Sequence, residues 1–211
     1  MMRKPMEITD WLVTAAGQCQ PRPAAKPWSL VRDRYYFHRF LTDIIDLLEQ
    51  APNEQEEWKL LPQIRMRVRQ LVTNSYWIQT QKPAAHSKTG VGIQTLYDEI
   101  GYPLTVHTVF SLPGVVSPIH NHGTWGVLAI LEGQEKHTFW QQIDPENNPY
   151  QIKPAGERMF NPGEIVSFLP ESIHQVQAAN GAPTLTFQLY GETQPSARYE
   201  FQPESATAKP F

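Results

Sequence analysis

The chain has 211 residues, of which 40% are hydrophobic and 11% aromatic, a composition that predicts one globular domain and excludes a disordered chain. Its 18 basic and 21 acidic residues give a net charge of −3, so the basic excess typical of nucleic-acid-binding proteins is missing. The longest apolar run, residues 125–131, is far shorter than the ~20 residues that a membrane-spanning helix needs.

The N-terminus and the cysteine count predict where the protein acts. The first residues, MMRKPMEITDW, carry two positive charges with no apolar segment behind them, so no signal peptide is expected. One cysteine, Cys19, permits neither an intrachain disulfide nor a cysteine-based zinc site, which fits the reducing cytoplasm. We therefore expect a cytoplasmic protein that binds a small molecule and neither nucleic acid nor membrane. The sequence leaves its oligomeric state open.

The pattern over residues 7–73 predicts helices. We expect them to form most of an N-terminal helical lobe over residues 1–90, which packs on the rest of the chain. A first short helix is expected over 8–13, because Thr9 or Asp10 could cap the apolar residues that follow. The proline-rich segment 20–28 ends it.

Two longer helices are predicted next. Apolar residues repeat with a period of about 3.6 over 31–49 and again over 53–71. Three basic residues of the second segment predict a solvated face, because alternate positions do not share one side of a helix. They are Arg65, Arg67 and Arg69.

Past residue 90 the pattern changes to short runs of Val, Ile, Thr and aromatic residues bounded by Gly, Pro or Asn. Such runs, spaced by about 8–12 residues, predict strands and favour a closed barrel or sandwich. The predicted strands are 104–111, 116–121, 125–132, 135–142, 157–160, 164–169, 173–178 and 184–190. We expect a barrel over 91–200 and a loose tail over 201–211.

Three of the seven histidines predict the metal site. His120 and His122 lie two residues apart in an apolar segment, so both rings point to one face if the segment is a strand. His174 lies on another predicted strand. Histidine is the commonest metal ligand, and three neutral imidazoles leave an ion open positions for a substrate.

The two histidine segments resemble the two motifs of the cupins, small barrels with a metal site. Four residues match the first motif, G-x5-H-x-H followed by a Glu and a Gly: Gly114, His120, His122 and Gly133. The glutamate position is filled by Gly126, or by Val127 on the longer spacing. The second motif is matched by Gly163 and His174. The loss of the carboxylate implies a centre of three histidines.

Three-histidine cupins include the thiol dioxygenases, and the run PIHNHGTWGVLAILEGQE is similar to their bacterial members. The resemblance covers roughly residues 95–200. It implies a mainly β fold, a cupin double-stranded β-helix barrel (jelly roll) with an N-terminal helical lobe. It also implies Fe(II) held by His120, His122 and His174, with a small thiol and O2 as substrates. Zn or Ni is an alternative occupant of the isolated protein, because both bind imidazoles more tightly than Fe(II).

Alternation over residues 184–190 puts Thr186, Gln188 and Tyr190 on one face of a strand. Thiol dioxygenases carry a Ser-x-His-x-Tyr triad in this region, so the resemblance implies that these three residues are catalytic. Tyr190 matches and Thr186 keeps a hydroxyl, but Gln188 replaces the histidine. A glutamine amide can hydrogen-bond to the tyrosine, yet it does not titrate near neutral pH.

Arg198 and Trp125 are the candidate substrate-binding residues. Cysteine-type members of the family place an arginine upstream of the first motif, and the corresponding stretch 96–100 has none. Mercaptopropionate-type members use an arginine after the triad tyrosine, which Arg198 matches, and an arginine suits a carboxylate. Trp125 is expected to line the pocket or to pack beside it. His107 and His137 are expected to be structural residues of the barrel.

Together these features predict a mononuclear non-haem iron dioxygenase that converts 3-mercaptopropionate or a cysteine-like thiol and O2 to a sulfinic acid. Two alternatives stay open, and both are favoured by Gln188 and by the missing upstream arginine. One is a metal-binding cupin with another substrate, such as a non-thiol dioxygenase or a Zn or Ni enzyme. The other is a non-catalytic cupin that binds a ligand.

Overall fold

The structure is a computed structural model that describes residues 9–24, 34–99, 103–179, 181–192 and 195–210. Its α-helices are α1 (Phe37–Leu48), α2 (Leu61–Asn74) and α3 (Tyr76–Thr80). Its strands are β1 (Thr9–Val13), β2 (Cys19–Pro23), β3 (Val91–Asp98), β4 (Thr105–Ser111), β5 (Ile119–His120), β6 (Gly126–Glu132), β7 (Glu135–Asp144), β8 (Asn148–Phe160), β9 (Ile165–Phe168), β10 (Ile173–Ala178), β11 (Thr184–Tyr190), β12 (Tyr199–Gln202) and β13 (Thr207–Pro210). Short 3-10 helices cover Glu54–Leu60 and Pro195–Ala197.

The strands form two sheets. The seven-stranded sheet has the order β2-β1-β9-β6-β11-β4-β3, and the six-stranded sheet has the order β13-β12-β5-β10-β7-β8. Among the described strand pairs, β1 and β9 run parallel and the others run antiparallel. The predicted fold class is confirmed: the protein is mainly β, a jelly-roll barrel with helices from the N-terminal part packed on it.

Strand β6 lies between the helices and the barrel interior. Its apolar side chains are buried on both faces: Val127 and Ala129 pack in a cluster with the helices, while Leu128 and Ile130 pack in the barrel interior. An uninterrupted apolar strand is expected where both faces are covered. The interior cluster also contains Phe139, Phe160, Val166 and Phe168, which come from both sheets.

Helices α1 and α2 cover the outer face of the seven-stranded sheet. Phe40 of α1 contacts Phe187 of β11 edge to face, with ring centroids 5.8 Å apart. Ile64 and Val68 of α2 belong to the same cluster and are fully buried. The odd-numbered side chains of β11 therefore face the helices, and its even-numbered side chains face the barrel interior. None of the helices in the described part of the chain has the length and apolar composition needed to cross a membrane.

Two segments differ from the prediction. The prediction of a helix over 8–13 is wrong, because residues 9–13 form β1, which pairs with β9 and β2. Residue 8 lies outside the described residues. The loose tail expected over 201–211 is also wrong, because β12 and β13 form an antiparallel hairpin. Phe201 anchors that hairpin, since it is buried and lies opposite Ile119 of β5.

The prediction that the three arginines of α2 form a solvated face is wrong for two of them. Arg65 and Arg69 are buried, and both form ion pairs with the buried carboxylate of Asp10. Arg65 Nη1 also donates to Ser167 Oγ at 2.9 Å, and Arg69 Nη1 donates to the carbonyl oxygen of Gly163 at 2.9 Å. Positions i and i+4 share a helix face, and here that face lies against β1 and β9.

Candidate metal centre

His120, His122 and His174 come together at one end of the barrel. His120 ends β5 and lies directly opposite His174 of β10 in the ladder, while His122 follows in the loop after β5. All three side chains are buried, and one nitrogen of each lies within 4.8 Å of the others. The group of three histidines predicted from spacing is therefore present and could hold a metal ion.

A backbone carbonyl orients the ring of His120. Its Nδ1 lies 2.9 Å from the carbonyl oxygen of Pro118, whereas Nδ1 of His174 is buried and has no hydrogen-bond partner among the described residues. A proton held at Nδ1 leaves the Nε2 lone pair for a metal. His122 Nε2 and His174 Nε2 are 3.3 Å apart. Two nitrogens that bind one tetrahedral ion at 2.0–2.1 Å would be separated by about 3.4 Å, so the spacing of His122 and His174 fits ligands of a single ion.

Burial keeps these imidazoles neutral. It lowers the pKa of His120 to about 4 and the pKa values of His122 and His174 well below the usual range. The charges of the neighbouring histidines add to the effect on His122 and His174. At neutral pH all three rings are thus in the form that binds metals, and no proton has to leave before an ion binds.

Tyr190, Gln188 and Thr186 form a hydrogen-bonded row on the interior face of β11. The Tyr190 hydroxyl donates to Gln188 Oε1 at 2.7 Å, and Gln188 Nε2 donates to Thr186 Oγ1 at 3.0 Å. The Tyr190 ring lies beside His122, with centroids 4.4 Å apart. Burial raises the pKa of Tyr190, so its hydroxyl stays protonated.

Arg198 lies between the 3-10 helix Pro195–Ala197 and β12, and it is half-buried. Its positive charge contributes to the lowered pKa values of His120 and His122 and opposes the raised pKa of Tyr190. The charge of the predicted arginine therefore acts on two of the three histidines and on the tyrosine.

Trp125 is 2% exposed, and its Nε1 donates to Glu57 Oε2 at 2.7 Å. Both residues line a cavity of about 360 Å³ whose wall includes Gly123 and Ala197, the neighbours of the histidine loop and of Arg198. Trp125 thus lines a cavity that adjoins the histidine loop through Gly123. Glu57 comes from the helical lobe, and nothing in its local sequence indicates that it reaches the barrel.

The two other barrel histidines lie near the centre. His137 is fully buried, its Nε2 lies 3.1 Å from Glu135 Oε2, and its ring centroid lies 6.2 Å from that of His174. His107 lies opposite Gln188 in the ladder and 6.5 Å from the Tyr190 ring, measured between centroids.

No family model matches the sequence. Among solved structures, a recombinant oxalate oxidase in complex with glycolate is 14% identical, with a TM-score of 0.43, over 55% of this chain and 58% of that chain. The polyketide cyclase RemF from Streptomyces resistomycificus is 15% identical, with a TM-score of 0.39, over 55% of this chain and 72% of that chain. A cupin 2 conserved barrel domain protein from Salinispora arenicola is 16% identical, with a TM-score of 0.39, over 54% of this chain and 84% of that chain. Cupin barrels are thus among the solved structures similar to this chain.

Proposed function

We propose that this protein is a cytoplasmic cupin, a mononuclear non-haem iron thiol dioxygenase that converts 3-mercaptopropionate or a related small thiol to its sulfinic acid. One observation carries the proposal: three buried, neutral imidazoles converge beside a tyrosine hydroxyl and within range of an arginine charge. The reaction R–SH + O2 → R–SO2H places both oxygen atoms of O2 on the sulfur, so it needs no further reductant.

The three histidines would hold the iron. Imidazole suits Fe(II), and three neutral ligands leave the ion its full positive charge and open positions. Bound Fe(II) would supply the acidity that favours a thiolate and the electrons that O2 chemistry requires. His120 would keep its orientation through the carbonyl of Pro118.

Arg198 and Tyr190 would act on the substrate. The guanidinium of Arg198 would bind the carboxylate of 3-mercaptopropionate, which holds the thiol end toward the histidines. Tyr190 donates a hydrogen bond to Gln188, so its hydroxyl would keep a fixed direction beside the bound substrate. Gln188 does not titrate, so the row Tyr190–Gln188–Thr186 orients the hydroxyl and does not conduct a proton away.

The experiment is O2 uptake by the Fe(II)-loaded protein with a panel of small thiols, followed by mass spectrometry of the product. We expect uptake that depends on 3-mercaptopropionate and a product heavier by two oxygen atoms. His120→Ala is the control and should lose both bound iron and uptake. Absence of thiol-dependent uptake by a sample with confirmed bound iron would contradict the proposal.

A second candidate is a metal enzyme with another substrate, and Gln188 is the observation that favours it. A three-histidine site with an open position also serves zinc hydrolases, and the amide removes the titratable group that thiol dioxygenases carry there. Turnover of a non-thiol substrate by the Zn- or Ni-loaded protein would support this candidate. Metal binding without turnover of any tested substrate would instead support a non-catalytic ligand-binding cupin.

A further inference from the structure

Asn121, the residue between His120 and His122, is hydrogen-bonded on both sides of Arg198. Its Nδ2 donates to the carbonyl oxygen of Ala197 at 3.1 Å, and its Oδ1 accepts the N–H of Tyr199 at 2.7 Å. The backbone N–H of Asn121 also donates to the carbonyl oxygen of Tyr199 at 3.2 Å. One residue of the histidine loop therefore holds the chain before and after Arg198.

These bonds hold the two peptide units that meet at the Cα of Arg198. The carbonyl of Ala197 belongs to the peptide unit before that Cα, and the N–H of Tyr199 belongs to the unit after it. Peptide units are planar, so their relative orientation defines the φ and ψ angles of Arg198 and hence the direction of its Cα–Cβ bond. The amide of Asn121 cannot be inverted, because its nitrogen would then face an N–H and its oxygen a carbonyl.

Two other features hold the same segment against the histidines. Gly123 has a φ of +65°, and a Cβ at this residue would lie 2.8 Å from the carbonyl oxygen of Ala197, so the loop and the segment are in close contact. Beyond Arg198, Glu200 of β12 lies opposite His120 of β5. Arg198 is thus bracketed by contacts that all end on the segment 119–123.

We propose that Asn121 is a positioning residue that holds Arg198 toward the three histidines and so gives the site its preference for thiols that carry a carboxylate. The inference rests on the proposed function, because it takes the substrate to be a thiol bound beside the histidines. Asn121 acts through Arg198 and touches neither the substrate nor the metal. Its removal should therefore affect carboxylate recognition and leave thiol binding at the metal unchanged.

The test compares two thiols by calorimetric titration of the Fe(II)-loaded protein without O2. The probes are 3-mercaptopropionate and 3-mercapto-1-propanol, which carries a hydroxymethyl group in place of the carboxylate. In Asn121→Ala we expect binding of 3-mercaptopropionate to weaken about tenfold or more, binding of the alcohol to change less than about twofold, and iron content to stay the same. In an Arg198→Ala background, Asn121→Ala should cause no further loss.

Gln142→Ala is a matched control. Like Asn121, Gln142 donates from a side-chain amide to a backbone carbonyl, that of Pro149 at 2.7 Å, but it lies on β7 away from the histidines. We expect it to leave the affinity for both thiols unchanged. If Asn121→Ala does not fold, Asn121→Ser serves in its place, because it removes the amide that joins Ala197 and Tyr199 and adds no charge.

The inference is overturned if Asn121→Ala weakens binding of both thiols equally, or if it weakens binding further in the Arg198→Ala background. It is also overturned if the wild-type protein binds the two thiols with the same affinity. Failure of the proposed function gives a different result. Carboxylate selectivity that depends on Asn121 without any O2 uptake would contradict the dioxygenase activity and support the positioning role. O2 uptake by the wild-type protein, together with unchanged carboxylate selectivity in Asn121→Ala, would support the dioxygenase activity and contradict the positioning role.

Discussion

Gly126 leaves the space in which the Tyr190 ring lies. The two residues are opposite each other on β6 and β11, and a Cβ at residue 126 would lie 2.9 Å from two carbons of that ring. We expect Gly126→Ala to push the ring away from His122, and thereby to lower kcat about tenfold while bound iron is retained. Steady-state O2 uptake and metal analysis measure the two quantities.

Gly156→Ala in β8 is the control for this substitution, because nothing lies within 4 Å of a Cβ at that position. It should keep the wild-type turnover. Turnover at the wild-type rate in Gly126→Ala would show that the reaction does not need Tyr190 in its present place. The same contact leaves no room for a carboxylate side chain at residue 126 while the Tyr190 ring keeps its present place.

At the level of elements, a buried ion cluster joins α2 to β1 and β9. Asp10 of β1 pairs with both Arg65 and Arg69 of α2, and all three side chains are buried. Asp10→Asn would leave two buried guanidinium groups without a carboxylate, so we expect a loss of about 3–5 kcal/mol in the free energy of unfolding. Urea denaturation followed by circular dichroism measures this loss.

Glu132→Gln provides the comparison for Asp10→Asn, since Glu132 pairs with Lys82 at 2.8 Å on the surface, where both side chains are about half exposed. A surface pair contributes little, so the loss should be under about 1 kcal/mol. Equal losses in the two variants would refute a special role for the buried cluster.

The same elements show what the sequence could predict. The bounds of β10 and β11 agree with prediction, because both strands are short apolar or alternating runs between turn residues. The sequence does not predict strand β3 or the first part of β8. Seven of the eight residues of β3 are exposed or half-buried, and the first part of β8 is mostly exposed, so neither has a continuous buried face. The sequence predicts a helix at β1 because only one of its two partner strands is local: β2 follows directly, but β9 lies more than 150 residues later in the chain, and Arg69 of α2 pairs with Asp10.

The features of the candidate site also divide into those that a local sequence pattern predicts and those that it does not. The i, i+2 spacing of His120 and His122 is local information, and it correctly indicated two rings on one side of the chain. The alternation of β11 placed Thr186, Gln188 and Tyr190 together. The contact between Trp125 and Glu57, and the bonds of Asn121 on either side of Arg198, join segments distant in the chain. No pattern within one segment could indicate them.

For the whole molecule, the buried imidazoles make stability depend on pH when no metal is bound. The pKa of His120 falls from 6.5 in an exposed ring to about 4 in the fold, and those of His122 and His174 fall as well. The unfolded chain therefore binds more protons below pH 6.5, and stability is full above that value and is lost as the pH falls toward 4. The shift of His120 corresponds to about 3 kcal/mol.

Urea denaturation of the chelator-treated protein between pH 4 and 8 measures this dependence. His120→Ala should flatten part of the curve. A free energy of unfolding that does not change between pH 7 and pH 5 would contradict the burial of neutral imidazoles. Saturating metal adds a separate stabilisation of about 2.7 kcal/mol at a hundredfold excess over its Kd, so the metal must be removed first.

The two sheets carry different parts of the candidate centre. His120 and His174 lie on strands of the six-stranded sheet, whereas Tyr190, Gln188 and Thr186 lie on β11 of the seven-stranded sheet. Two of the three candidate ligands thus belong to one sheet, and the hydrogen-bonded row beside them belongs to the other. Substitutions along β11 can therefore alter the side chains that face the histidines while the strands that carry His120 and His174 stay as they are.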